Sequence, residues 1–324
     1  MNSTLIELLA DGEFHSGEEL GAVLGVSRAA VWKQLQKLEA MNIPFHSVKG
    51  KGYRLPEAVE LLDQNRLLAE GFPLQAFNSF DQHLSVGSTN DELMLKAETN
   101  DLSRHICFAE MQTGGRGRRG RAWVSPFARN LYFSVLWPFS QGISAIQGLS
   151  LAVGLAIQRA LIKLDVPSTG LKWPNDLLVK TSTGHAKLGG ILIELTGDVT
   201  DACQVVIGVG INLDIRPQDL ARIDQNAIGV KQLQSGLSRN KVAATLVKEL
   251  VGMLTEFEVY GFSALKEEWN GHDAFNGLPV KLILPSSEIP GSGCGVNDKG
   301  EYVMETAGGK QVFNAGEVSL RLGE

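Results

Sequence analysis

The run Gly114-Gly115-Arg116-Gly117-Arg118-Arg119-Gly120-Arg121-Ala122-Trp123 places four guanidinium groups on one glycine-rich stretch. Arginine forks match phosphates and carboxylates in shape and charge, and glycines allow such a loop to be open when empty and closed when filled. Gly115, Gly117 and Gly120 formally match G-x-G-x-x-G, a dinucleotide fingerprint that needs a helix directly after its third glycine. Here Arg121-Ala122-Trp123-Val124-Ser125-Pro126 follows, and the proline fits a helix poorly. Arg116, Arg118 and Arg119 inside the fingerprint also suit close backbone approach to a pyrophosphate poorly, so the dinucleotide reading is rejected. A loop of this kind can wrap an acyl-phosphate intermediate and keep water from it. The plainer alternative is a solvated basic loop that binds nucleic acid without sequence preference.

Four weaker signals accompany it. Lys172-Trp173-Pro174-Asn175-Asp176-Leu177 has turn chemistry, two short polar side chains behind a rigid proline. Asp176 is able to hold a metal or a lysine, although an ordinary turn is the preferred reading of this stretch alone. Lys187-Leu188-Gly189-Gly190-Ile191-Leu192-Ile193-Glu194 sets a lysine at the mouth of an apolar strand. That cation can neutralise charge growing on a phosphoryl oxygen, or merely guard an edge strand. Gly208-Val209-Gly210-Ile211-Asn212-Leu213 reads as a strand whose glycines permit close ligand approach. Gly87-Ser88-Thr89-Asn90 gathers small polar groups suited to a neutral polar ligand head. Walker A, G-x-S-x-G and H-E-x-x-H patterns do not occur, which counts against P-loop and hydrolase chemistry.

The elements that must position these residues can be outlined. From Glu57 to about Gly271 apolar helices alternate with β-rich runs, an α/β pattern. The apolar segment Ala145 to Leu164 raises the question of a membrane span. Gln147, Ser150, Gln158 and Arg159 interrupt it and no aromatic belt flanks it, so it reads as a buried core helix. After Gly271 come strand candidates at Val280–Leu284 and Val318–Leu322 and a turn at Asn297–Gly300, which suggest a small β-barrel.

Before Pro56 the chain reads as short helices ending in a hairpin. Ser16 and Glu19 form a capping box, Gly25 gives a tight turn, and Ser27 caps a second helix. Val31, Leu35 and Leu38 share one face of that helix; Ala29, Lys33 and Gln36 lie opposite, with Trp32 and Lys37 at the flanks. This is the layout of a helix-turn-helix whose second helix enters a major groove. Phe45–Val48, Lys49-Gly50-Lys51-Gly52 and Tyr53–Leu55 make a wing with two lysines at its tip, able to meet phosphates. Residues 1–27 hold no Lys or Arg, whereas 28–54 hold Arg28, Lys33, Lys37, Lys49, Lys51 and Arg54 against Glu39 alone. In a chain of net charge -6 the basic side is thus confined to elements that would touch DNA. A winged helix used for protein contacts is the alternative.

The 324 residues, 44% hydrophobic and 20% charged, suffice for two or three domains. Cys107, Cys203 and Cys294 are sparse and lie in no CxxC pattern, so they read as small buried hydrophobes in a reducing cytoplasm rather than disulfides or a zinc site. No basic stretch precedes an apolar run at the N-terminus, so no secretory leader is expected.

Taken in order, Ser88-Thr89-Asn90, the Gly115–Gly120 loop, Lys172-Trp173-Pro174-Asn175-Asp176, Lys187-Leu188-Gly189-Gly190-Ile191-Leu192 and Gly208–Asn212 resemble the biotin–protein ligases. With the winged head, the resemblance is to the bifunctional bacterial biotin ligase and biotin-operon repressor, over nearly the whole chain. It implies an α+β architecture: a winged helix-turn-helix DNA-binding domain over 1–60, a mixed α/β biotin/lipoate-ligase-like catalytic domain over 61–271, and an SH3-like β-barrel over 272–324. It implies that biotin's carboxylate attacks the α-phosphorus of ATP, with Mg²⁺, giving biotinyl-5′-AMP. A lysine of the biotin carboxyl carrier protein of acetyl-CoA carboxylase then takes the biotin. It also implies a homodimer that binds operator DNA with biotinyl-5′-AMP as corepressor, a cytoplasmic location and no membrane partner.

The same resemblance assigns roles. Ser88, Thr89, Asn90, Gln112, Gly115, Arg116, Gly117, Arg118, Lys187 and Gly190 are expected around biotin. Arg118, Arg119, Arg121, Trp123, Lys172, Asn175, Lys187 and Asn212 are expected around ATP and the adenylate. Lys187, Arg118 and Asp176 are the expected catalytic residues, with Asp176 on the metal. Ser27, Arg28, Ala29, Trp32, Lys33, Gln36, Lys49 and Lys51 are expected on DNA. Two departures stand out: Trp32, where a smaller polar residue would more readily read a base, and a polar loop at Thr181–His185 that looks slightly extended. A lipoate ligase shares the fold and chemistry, but the head and Lys187-Leu188-Gly189-Gly190 favour biotin. A mere effector-sensing repressor would need no transition-state cation.

Overall fold

The computed structural model describes residues 3–98, 102–140, 142, 146–196, 203–284, 287–316 and 318–323. The head opens with helix α1 (Ser3–Leu9) and continues with α2 (Gly17–Leu24) and α3 (Arg28–Ala40). The Ser16–Glu19 capping box forms, with Ser16 N–H donating to Glu19 Oε2 at 2.8 Å and Glu19 N–H to Ser16 Oγ at 3.1 Å. Gly25 ends α2 in the left-handed conformation, and Ser27 caps α3. Strands β1 (His46–Val48) and β2 (Gly52–Arg54) pair as the expected wing. Leu5, Ile6, Leu9, Leu20, Val31, Leu35 and Leu38 form the head's core, which also takes in Met111, Phe127 and Ala128 of the central part.

The central part is built on a seven-stranded mixed sheet of order β3-β4-β5-β9-β8-β7-β6. Its strands are β3 (Ser79–His83), β4 (His105–Ala109), β5 (Leu131–Phe139), β6 (Thr169–Lys172), β7 (Asp176–Thr181), β8 (Gly184–Thr196) and β9 (Cys203–Ile211). Only β3 and β4 run parallel; the other neighbours are antiparallel. Helix α4 (Gln64–Ala69) follows the head, and α5 (Thr89–Ala97) covers one sheet face with Leu93 and Ala97 against Cys107, Leu136 and Val206. The other face packs on α6 (Leu149–Lys163) and α9 (Arg239–Tyr260), as the period-two alternation along β5 requires. The apolar segment near 145–164 is thus the buried core helix α6, with Ala145 itself outside the described residues. No helix among the described residues is long and apolar enough to cross a membrane.

Short helices α7 (Pro217–Leu220), α8 (Val230–Leu233) and α10 (Lys266–Gly271) complete the central part. A five-stranded antiparallel sheet, order β13-β12-β11-β10-β14, closes the chain. Its strands are β10 (Pro279–Ile283), β11 (Glu288–Val296), β12 (Tyr302–Thr306), β13 (Gly309–Phe313) and β14 (Ser319–Leu322). Pairing of β13 with β14, which full closure would need, is not among its described ladders. Its apolar face merges with the central core through Val280, Leu282, Tyr302, Met304 and Leu320. None of the three cysteines forms a disulfide; Cys107 and Cys203 are buried, but Cys294 is only half-buried.

One correction concerns Thr181–His185. It is a tight β7–β8 hairpin with only Ser182 and Thr183 outside the strands, not an extended loop. Gly184, at φ 121°, allows the reversal, and Thr181 Oγ1 donates to the Gly184 carbonyl at 3.0 Å.

The junction between the two sheets carries a strained charge. Asp273 accepts from Phe275 N–H at 3.0 Å through Oδ1, while its buried Oδ2 has no hydrogen-bond partner among the described residues. Burial raises this carboxyl from 3.8 to about 6, against the opposing Phe275 bond. The folded value lies above the unfolded one, so the junction is undisturbed below pH 3.8 and loses stability as pH climbs through 6. Asp273→Asn is therefore expected to raise the melting temperature over wild type more at pH 8 than at pH 4, with a difference on the order of 2 kcal/mol. Equal effects at both pH values, read by calorimetry, would remove Asp273 as the source of the strain.

Candidate active site

The site begins with three neighbouring strands held in register. Asp176 on β7 pairs with Gly190 on β8, and Gly190 with Gly210 on β9. Between Leu177 and Leu178 the β7–β8 register shifts, from Leu177 opposite Gly189 to Leu178 opposite Lys187. Strict alternation would put Lys187 and Gly190 on opposite faces, but a bulge of one residue re-aims a side chain. A Cβ on Gly190 would lie 3.4 Å from Lys187 Nζ, so the lysine does turn to the Gly190 face.

There Lys187 Nζ stands 2.7 Å from Asp176 Oδ1, and Lys172 Nζ donates to Asp176 Oδ2 at 3.0 Å. Asp176 and Lys187 side chains are 14% and 15% exposed, so little water attenuates their attraction. Burial alone would raise the Asp176 carboxyl, yet Lys187 and Lys172 outweigh it and hold the group at about 2. Lys172 is itself lowered by burial, with Asp176 opposing. The Trp173–Pro174 stretch is a turn that joins β6 to β7. It also anchors the C-terminal sheet, since buried Trp173 donates Nε1–H to the Gly300 carbonyl at 3.0 Å.

The β9 glycines admit the protein's own side chains. A Cβ on Gly208 would fall 2.2 Å from Asn90 Oδ1, and one on Gly210 would fall 2.7 Å from the Trp123 indole. Asn90 donates Nδ2–H to Glu194 Oε2 at 2.6 Å, and its Oδ1 accepts from Ser134 Oγ at 2.6 Å. Ser88 caps α5 by accepting from Asn90 N–H at 3.2 Å. Thr89 N–H donates to Gln112 Oε1 at 2.9 Å, and Asn212 Nδ2–H to the Lys187 carbonyl at 3.2 Å. Asn175 fixes the β7–β8 corner by donating to the Ile191 carbonyl at 2.7 Å.

The arginine loop folds over this wall. Its base closes where Arg116 pairs with Ala122 and Trp123 N–H donates to the Gly115 carbonyl at 2.9 Å. Arg118–Gly120 makes one tight turn with no helix after it, in keeping with rejection of the dinucleotide reading. Arg118 reaches the C-terminal sheet, donating to the carbonyls of Ala315 and, at 2.7 Å, Gly316. Burial lowers the Arg118 guanidinium, with Asp176 opposing and Arg119 and Arg121 adding to the effect. A cleft of about 350 Å³ draws together Ser88, Thr89, Asn90, Gln112, Arg116, Gly117, Arg118, Arg119, Arg121, Trp123, Lys172, Asn175, Asp176, Lys187, Gly190 and Asn212. Gly115 lies just behind, where a Cβ would meet the Trp123 carbonyl at 2.9 Å.

Residues 85–212 match the biotin/lipoate A/B protein ligase family, and residues 2–54 match a helix-turn-helix domain family. The chain is 41% identical to the bifunctional ligase/repressor BirA of Escherichia coli, over 99% of this chain and 97% of that one. The chain belongs to the bifunctional biotin ligase/repressor family. It is 30% identical to the biotin–[acetyl-CoA-carboxylase] ligase of Mycobacterium tuberculosis, over 75% of this chain and 89% of that one. Its fold matches a biotin protein ligase of Aquifex aeolicus, solved with biotin and ATP, at a TM-score of 0.64 and 28% identity over 76% of this chain and all of that one. This protein is a biotin–protein ligase with a helix-turn-helix repressor domain.

Some residues of the ligase site had no role legible in the sequence, Glu194 among them although it ends the Lys187–Glu194 run. Glu194, Asp91 and Ser134 hold the expected residues in place, and Ser319 and Arg321 of the C-terminal sheet line the cavity. Their partners lie up to 200 residues away in sequence, as for Arg119 and Ser319. The donor set around Asp176 fits a resident metal poorly: each of its oxygens already faces an ammonium group. No group of three His, Cys, Asp or Glu suited to a metal occurs among the described residues.

In the ligase's head, Ser27, Arg28, Ala29, Trp32, Lys33, Gln36, Lys49 and Lys51 are all exposed. Trp32, 41% exposed, leans on Tyr53 at 6.1 Å between ring centroids and so braces α3 against the wing.

The glycine wall gives a test. Gly208→Ala should expel Asn90 from its bonds and destabilise the ligase by roughly 2 kcal/mol. Gly252→Ala, in α9 with nothing within 4 Å of its added methyl, should be neutral or slightly stabilising. Equal denaturation midpoints for the two variants would contradict the packing argument.

Proposed function

We propose that this ligase condenses biotin with ATP to biotinyl-5′-AMP and pyrophosphate, then passes biotin to a lysine of the biotin carboxyl carrier protein of acetyl-CoA carboxylase. The observation that carries the reading is Lys187, its ammonium fixed by Asp176 at 2.7 Å and lying over Trp123 inside the cavity. In condensation a carboxylate meets an α-phosphate, so two anions must approach each other. A prefixed cation stabilises the crowded transition state without reorganising at the moment of reaction. On this reading Lys187 lies between the two anions, held by one oxygen of Asp176 while Lys172 occupies the other.

Biotin is assigned to Ser88, Thr89, Asn90, Gln112, Gly115, the main chain of Arg116, Gly117 and Gly190. The adenylate is assigned to Arg118, Arg119, Arg121, Trp123, Asn175 and Asn212. The magnesium that accompanies ATP is assigned to the nucleotide's own phosphate oxygens, since Asp176 is taken up by its lysines. In the second step the carrier lysine attacks the mixed anhydride and AMP leaves. We further propose that the biotinyl-5′-AMP complex dimerises and binds operator DNA in the cytoplasm through Ser27, Arg28, Ala29, Trp32, Lys33, Gln36, Lys49 and Lys51. On this reading the units are 1–60, 61–271 and 272–324, the last an SH3-like barrel.

Protein mixed with biotin, Mg-ATP and a biotin carboxyl carrier domain should add one biotin to the acceptor by mass spectrometry, and lipoate should add nothing. No gain with biotin, or an equal gain with lipoate, would reject the assignment. Lys187→Ala should lose adenylate formation by roughly 1,000-fold while staying folded, at a lower melting temperature because Asp176 keeps only Lys172; near-normal turnover would take Lys187 out of the chemistry. Arg118→Gly should release biotinyl-5′-AMP and label bystander lysines, and a wild-type level of free adenylate would refute its retaining role.

A further inference from the structure

The four loop arginines are not held alike. Arg116 Nη1 donates to Asp91 Oδ2 at 2.8 Å, and its Nη2 lies 2.6 Å from Asp91 Oδ1 and 2.9 and 3.0 Å from the two Glu194 oxygens. Both terminal nitrogens thus face carboxylates, Nη1 that of Asp91 and Nη2 those of Asp91 and Glu194. Arg118 rests on two neutral main-chain carbonyls, and Arg119 lies 3.5 Å from a hydroxyl, Ser319 Oγ. An incoming phosphate or carboxylate outcompetes a neutral carbonyl for a guanidinium, but it must displace two anions to take Arg116.

We propose that Glu194, with Asp91, is a positioning residue that pins Arg116, so that the arginine loop has a fixed post at residue 116 and a moving part at Arg118, Arg119 and Arg121. The inference rests on the reading that this loop closes over biotinyl-5′-AMP, and it makes the Arg116 side chain an anchor rather than a ligand contact. The post is tied inward as well. Glu194 Oε2 also accepts from Asn90, which Ser134 holds from the other side, so one carboxylate fastens the loop to α5 and β5 at once. Arg116 pairs with Ala122 across the loop base, so fixing residue 116 fixes the frame from which the tip swings.

The test uses the full-length protein and four variants: Glu194→Gln, Asp91→Asn, Arg116→Ala, and the double variant Arg116→Ala with Glu194→Gln. Trypsin cleavage within the loop is followed by mass with and without biotin and Mg-ATP, and release of biotinyl-5′-AMP is timed in a chase. Glu194→Gln is expected to speed adenylate release and raise KM for biotin about tenfold, with kcat at saturation within threefold of wild type. Because Glu194 acts through Arg116, the double variant should release adenylate no faster than Arg116→Ala. Multiplied effects in the double variant, or wild-type release from Glu194→Gln, would overturn the proposal. Should Glu194→Gln fold poorly, Asp91→Asn at its exposed position decides: release about threefold faster is expected, and unchanged release overturns the post. A wild-type loop that ligand leaves unprotected from trypsin would instead sink the closing-loop reading, and the post with it.

Discussion

A carboxylate removed from water must have its charge met by protein, and much of this site follows from how Asp176 satisfies that requirement. Losing one partner of a buried pair leaves an uncompensated charge and costs several kcal/mol. Asp176 has two partners, one on each oxygen. Lys172 ends β6 and Lys187 comes from β8, so the pairing needs the β6–β7 turn and the β8 bulge together. The turn in turn needs Trp173 buried against the C-terminal sheet, its ring tilted at 32° to that of Tyr302 with centroids 5.4 Å apart. A local electrostatic demand therefore reaches into two sheets and fixes where the ammonium of Lys187 can be.

A second buried pair does for the head what Asp176 does for the site. Arg239 and Glu110 are 2% and 1% exposed, and their side chains meet directly. Glu110 also accepts from Leu62 N–H at 2.8 Å, and Arg239 donates to the Glu60 carbonyl at 3.1 Å, so the segment leaving the head is bolted to α9. Arg239 Nε–H further donates to the Asn130 carbonyl at 3.0 Å, while Asn130 Oδ1 accepts from Leu213 N–H at 2.9 Å. Leu213 directly follows Asn212, which lines the cavity. One chain of polar contacts thus runs from the wall of the ligase site to the base of the helix-turn-helix head.

The sequence was most informative where function depends on local rules. Capping and turn residues placed α2, α3 and the wing because Ser16, Glu19, Gly25 and Ser27 act on backbone within four residues of themselves. The five short motifs marked the cavity because each keeps its chemistry on contiguous residues. Long-range partners were illegible: nothing near Arg116 in sequence announces Glu194, and nothing near Trp173 announces Gly300. The Thr181–His185 stretch misled because polar composition looks the same in a long loop and in a two-residue hairpin. The decisive contact there, Thr181 to Gly184, depends on a positive φ that composition does not encode.

The glycines of β9 show the difference between reading a signal and reading its cause. Close approach was expected at Gly208 and Gly210, and it occurs, but the approaching groups are Asn90 and Trp123. The distinction matters for the chemistry. Trp123 lies against Gly210 and Gly190 and under the ammonium of Lys187, 5.2 Å from its ring centroid. The lysine is thus fixed from one side by a carboxylate and from another by an aromatic face. Trp123 can take that place only because both strands lack a Cβ beneath it, and only while the loop base is closed at Gly115. Electrostatic preorganisation at Lys187 is therefore a property of four separated stretches of chain, the arginine loop included, which explains why no one motif of the five carries the function when read alone.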